Sequence, residues 1–172
     1  AGHGAVAYGC RDGRAVVVLD GDPGHRDVII RIGSPICGVT LLELHGILYC
    51  VVSAMGDKLI SYSIDPFSKA HKIHLVHQDY RSGVRLSQNM KHDRHSQGIF
   101  AVESESADAS KMQLQFYSVL CPAPLRMVSG PFLVSNSSTA NIEWALIGNS
   151  LIHHDRDKSL LRFYKSYSPC DI

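Results

Sequence analysis

The 172-residue sequence has no apolar run near the roughly 20 residues that cross a bilayer as a helix. Its opening stretch, AGHGAVAYGC, lacks the charged start and apolar core of a signal peptide. An excess of one charge is missing too. Lys+Arg 17 against Asp+Glu 16 leaves +1, mixed along the chain, with no basic stripe of the kind that neutralises phosphates. Neither a membrane span nor a nucleic-acid partner is expected.

Cysteine is sparse and unpatterned. Cys10, Cys37, Cys50, Cys121 and Cys170 are odd in number and contain no C-x-x-C pair of the zinc-clamping kind. Reduced, mostly buried thiols are expected, and with them an intracellular setting, cytoplasm or nucleus. The alternative is secretion, because Asn136-Ser137-Ser138 fits the N-glycosylation acceptor pattern. The sequence starts without Met, as a processed product would, so the missing leader says little about compartment. Phosphate-binding and dinucleotide-binding glycine motifs are absent, and no serine occupies a G-x-S-x-G elbow. No cofactor and no nucleophile are expected.

What the chain does have is 45% hydrophobic residues, enough for one folded unit over residues 1–172. Helical periodicity is thin. Val, Ile, Ser, Tyr and Phe cluster in short runs broken by Asp-Gly, Gly-Asp, Ser-Gly and Pro, the residues of tight turns between strands.

One element recurs four times. RDGRAVVVLD from residue 11, MGDKLISYSID from 55, ADASKMQLQFYS from 107 and DRDKSLLRFYKS from 155 each set an Asp-bearing polar tip before an apolar strand. Aligned on Asp12, Asp57, the position of Lys111 and Asp157, they are separated by about 45, 54 and 46 residues. A second marker, GSP from 33, SGV from 82 and SGP from 129, falls between them at separations of about 49 and 47 residues. The repeat boundaries are therefore expected near 33, 83 and 130.

Each full unit reads as four antiparallel strands, which predicts an all-β fold of four-stranded repeats, a β-propeller or part of one. AVVVL and ILYCVV are apolar at nearly every position, so both faces of their sheets need cover, as stacked blades supply. The Asp-bearing turn, the apolar strand and its polar ending resemble degenerate WD40-like propeller blades over most of the chain. The Trp-Asp ending of that family is replaced by Leu19-Asp20, Ile64-Asp65, Tyr117-Ser118 and Tyr164-Lys165. The resemblance implies that Asp12, Asp57 and Asp157 are structural, each bonding a His in another loop of its blade.

The strand tally is three, four, four and three, which does not divide into whole four-stranded blades. The expectation is a segment whose open edges are completed by more blades of a longer polypeptide or by another chain.

Histidine is the main chemical alternative. In HKIHLVHQD, an unbroken strand would send His74 and His77 to opposite faces and leave His71 about 20 Å from His77, too far to share an ion. His92, Asp93 and His95 in HDRH are the alternative metal ligands, and HHDRD reads as a solvated hairpin tip. Among the aromatic residues, Phe67, Tyr80 and Tyr167 sit in polar, turn-like surroundings and are the partner-binding candidates. The expected function is a non-catalytic protein–protein interaction scaffold within a larger assembly. The alternative is a metal-assisted hydrolase using the His-rich loops.

Overall fold

The computed structural model describes residues 4–19, 27–55, 58–65, 73–80, 85–92, 99–105, 112–119, 126–135, 143–147, 150–155 and 159–165. Every regular element among them is a strand, in four antiparallel meanders. Sheet I comprises β1 (Ala5–Gly9), β2 (Arg14–Leu19) and β3 (Val28–Arg31). Sheet II comprises β4 (Ile36–Leu44), β5 (Ile47–Ala54), β6 (Lys58–Ile64) and β7 (Ile73–Tyr80). Sheet III comprises β8 (Arg85–His92), β9 (Ile99–Glu105), β10 (Met112–Ser118) and β11 (Arg126–Ser135). Sheet IV comprises β12 (Glu143–Ile147), β13 (Ser150–Asp155) and β14 (Leu160–Lys165). The order three, four, four and three is the one expected from the turn pattern. Among the described residues no helix is long and apolar enough to cross a membrane.

The sheets stack in chain order. β1 lies against β4, β4 against β8, and β8 against β12. The first strands of sheets II, III and IV, each an edge strand of its sheet, therefore follow one another along one side of the stack. Among the described residues, two layers of side chains join sheets I, II and III. Val17, Leu19, Val28 and Ile30 of sheet I meet Leu48, Cys50, Val52 and Ile64 of sheet II. On the opposite face of sheet II, Leu42, Val51 and Leu59 meet Val102, Tyr117 and Val119 of sheet III. Strand alternation sends Val51 and Val52 to opposite faces, and both are fully buried, which is why ILYCVV shows no polar alternation. Burying a side chain of this size contributes roughly 1.5–3 kcal/mol, so each layer binds its two sheets firmly.

Two strands depart from the sequence reading. Ser129, Gly130 and Pro131, expected in a turn at the boundary near 130, lie inside β11. Phe116 faces Ser129 and Leu114 faces Phe132, so Gly130 and Pro131 together stand opposite Gln115 in a bulge. β11 is an edge strand, where a proline's missing N–H is tolerated. The second departure is in β7. Its register pairs Ser61 with His77 but Ser63 with His74, with a shift between Ser61 and Tyr62. The two histidine positions are thus matched to positions two apart on β6, and the odd-spacing argument from an unbroken strand does not hold.

Candidate functional site

The first site to build is the rim where sheet I passes to sheet II. Between β1 and β2, the Gly13 N–H donates to the Cys10 carbonyl at 3.1 Å, and the Cys10 N–H to the Arg14 carbonyl at 2.8 Å. Gly13 takes φ +85°, a region that suits glycine, and a Cβ there would lie 2.9 Å from the Ser34 nitrogen. Asp12 closes the turn. Its carboxylate accepts from the Arg14 backbone N–H at 3.2 Å and from Arg14 Nε at 2.6 Å, in the Asx geometry that Asp-Gly turns favour.

The linker that carried the Gly-Ser-Pro marker is sewn onto this turn. Ile32 N–H donates to the Gly13 carbonyl at 2.8 Å, and Ile36 N–H to the Cys10 carbonyl at 3.3 Å. On its other side, Met55 N–H donates to the Pro35 carbonyl at 2.9 Å, and Lys58 Nζ donates to Ser34 Oγ at 2.8 Å. The two repeating sequence markers thus meet in space. The hairpin tips of sheets I and II sit on one rim, joined by residues 32–36.

The second feature is the outer face of each end sheet. In sheet I the face turned away from sheet II carries Val6, Tyr8 and Ile29, which are 66%, 48% and 46% exposed. In sheet IV, Trp144, Leu151 and His153 are buried, while Ile147, Leu161 and Phe163 are 59%, 60% and 70% exposed. Paired residues share a face, so Ala145, Ile152 and Phe163 form one apolar row across the three strands. Clusters of this kind mark surfaces that something covers.

The histidine-rich tip HHDRD resolves differently from the reading as a solvated turn. β13 runs on to Asp155, so His153 turns inward on the face shared with Trp144 and Arg162 and is 1% exposed. His154 points the other way, its Nδ1 3.5 Å from Glu143 Oε2. Arg162 is half-buried on the inward face, and Phe163 is the outward residue.

Among the described residues no three of His, Cys, Asp and Glu converge as a metal site requires. His92 ends β8, while Asp93 and His95 lie outside the described residues. Asp57, Asp157, Phe67 and Tyr167 also lie outside them, and Tyr80 ends β7 opposite Lys58. Cys50 is buried between sheets I and II, and burial pushes its thiol from 9.0 up to about 12, so it stays protonated and is a poor nucleophile. Burial, and then the neighbouring Cys50, also raise the Tyr62 phenol.

The end faces escaped the sequence reading, which looked for surface aromatics in loops. The signal that was present is apolarity on both sides of the terminal hairpins, Val6 and Tyr8 against Ala5 and Ala7, and Leu160 against Leu161. The chain matches no protein-family model, and no curated protein is significantly similar to it.

Proposed function

We propose that the chain is a non-catalytic protein–protein interaction scaffold, built as a segment of a β-propeller whose blades resemble degenerate WD40 units. The observation that carries this is the bare apolar face at each end of a stack in which sheet II is covered on both sides. A stack of twisted sheets has apolar ends unless it closes or is continued, so the ends are where further blades or a partner attach. The succession of edge strands β4, β8 and β12 along one side of the stack supports the propeller geometry, since in that architecture the first strand of every blade lies next to the axis. The rim bonds support a structural role for Asp12 and, by repetition, for Asp57 and Asp157. The setting proposed is intracellular.

Hydrogen exchange tests the reading. Amides of the terminal hairpins, residues 5–19 and 150–165, gain protection in the native assembly, while β5 and β6 of sheet II are protected in the isolated chain already. Equal, strong protection at both ends of an isolated monomer would overturn it.

A further inference from the structure

We propose that sheets II and III hold a buried water between them, bridging the Ser61 hydroxyl of β6 to the Tyr117 phenol beside the Gln115 amide of β10. The inference rests on how these two sheets pack, and it stands whether or not the stack curves into a propeller.

The two layers of the stack differ in kind. Among the described residues, the buried side chains between sheets I and II are aliphatic apart from the Cys50 thiol. The layer between sheets II and III is mixed. The buried polar residues described are Thr40, Ser53, Ser61, Gln115 and His153, and strand register places all but His153 in that layer. Thr40 and Ser61 flank Val51 across three strands, Ser53 pairs with Leu59, and Gln115 pairs with Val102, so each shares a face with an apolar member of the layer.

Buried polar groups are normally bonded. Ser53 Oγ donates to the Gly38 carbonyl at 3.5 Å, and Tyr117 Oη donates to Gln115 Oε1 at 2.7 Å. Ser61 is the exception. It is 0% exposed, and its Oγ has no hydrogen-bond partner among the described residues. A hydroxyl taken out of water and given no partner is destabilising, so native cores rarely keep one.

The surroundings say what the partner is. Face-to-face sheets stand about 10 Å apart, a spacing filled here by Leu42, Leu59 and Tyr117, and a serine among such side chains stops well short of the opposite sheet. The Gln115 amide does not cross to meet it. Its bond to Tyr117 draws the two side chains together along one face of β10, which gathers a phenol oxygen and an amide in the same layer. A phenol that donates can still accept. One water that accepts the Ser61 O–H and donates to the Tyr117 oxygen makes the two bonds that a buried water needs at the least. The buried residues described in this layer are all uncharged, which selects a neutral water over an ion.

A crystal structure of the chain tests the site directly, with a water oxygen expected within about 3 Å of both Ser61 Oγ and Tyr117 Oη. A dry Ser61 hydroxyl, or one bonded to a protein group, overturns the proposal. Urea unfolding tests it in solution through the sign of one substitution. With the water in place, Ser61→Ala strips it of a partner and lowers the urea midpoint, whereas removal of a bare, unsatisfied hydroxyl raises it. A raised or unchanged midpoint overturns the proposal. Tyr117→Phe lowers the midpoint as well, and the double variant loses less than the two single losses combined, because both substitutions act on one bridge. Strictly additive losses would show that the two hydroxyls share nothing, and the bridging water falls with them.

Discussion

Sheets II and IV are made from the same hairpin and meet different surroundings. In sheet II, consecutive residues Val51 and Val52 are both fully buried because sheets pack on either side. In sheet IV, Leu151 is fully buried while Phe163, one strand over on the opposite face, is 70% exposed. The apolar content of a strand therefore records the cover that its sheet requires, and the end sheet has received only half of it. The sharpest way to test this contrast is truncation on both sheets. Leu59→Ala removes a side chain wedged between sheets II and III and lowers unfolding stability by about 2–5 kcal/mol in urea titrations. Phe163→Ala in the isolated monomer costs less than about 0.5 kcal/mol. Comparable losses at both sites would show that the outer face of sheet IV is covered within the chain.

The rim offers the next comparison, between two glycines of positive φ. Gly13→Ala meets both the wrong backbone region and the Ser34 nitrogen at 2.9 Å, whereas an added methyl at Gly33 meets nothing within 4 Å. Thermal unfolding should register a loss of about 2 kcal/mol for Gly13→Ala and about half of that for Gly33→Ala. Equal losses would show that the close approach of tip and linker contributes nothing beyond backbone strain.

Burial between sheets I and II gives a pH signature that the end faces lack. The Cys50 thiol is raised on folding from 9.0 to about 12, so the folded state holds its proton more tightly than the unfolded chain. The associated stability is complete below pH 9 and is lost as pH rises toward 12. By pH 10 the loss is about 1.4 kcal/mol. Cys50→Ala should flatten the alkaline side of the stability profile by about that amount. An unchanged alkaline slope would place the thiol within reach of solvent.

These contrasts also show what could be read before the fold. Strand positions and the three, four, four, three partition were legible because turn residues and strand runs are local signals. Pro131 misled because its tolerance depends on β11 being an edge, which is a property of the sheet and not of the segment. His77 misled because a bulge in β7 changes its partner on β6. His153 was taken for part of a polar tip because charged neighbours follow it, yet alternation along β13 turns it inward beside Leu151 and Trp144. The end faces were hidden for a different reason. Local sequence shows that Phe163 is apolar, but whether it is bare depends on how many sheets stack beyond it.

A smaller effect separates the stitched turn of sheet I from an ordinary solvated one. Asp12 accepts both the Arg14 backbone N–H and the Arg14 side chain, and both residues are largely exposed. Exposed ion pairs contribute little, so most of the value lies in the bond from the Arg14 backbone N–H, which shapes the turn whose Cys10 and Gly13 carbonyls meet Ile36 and Ile32. Asp12→Ala should cost about 0.5–1 kcal/mol, and Asp12→Asn, which keeps an acceptor oxygen, should recover more than half of it. If Asn and Ala are equally damaging, the charge matters and the turn bond does not.

The smallest expected effect lies at the other end of sheet II, away from the rim. β4 and β5 are joined by His45 and Gly46 alone, with Leu44 paired to Ile47, and their φ values of 51° and 77° make the left-handed two-residue turn that suits the twist of a hairpin. Gly46 takes this conformation freely, but His45 carries a Cβ into it with no stitching partner comparable to the linker at the rim. Asn tolerates the left-handed region better than other side chains, since its short amide bonds the local backbone. His45→Asn should therefore raise stability by about 0.5 kcal/mol, read as a shift of the urea midpoint at constant slope. A loss of stability instead would mean that the imidazole at this vertex makes a contact worth more than the strain, and the bare vertex would then join the rim as a held part of the blade.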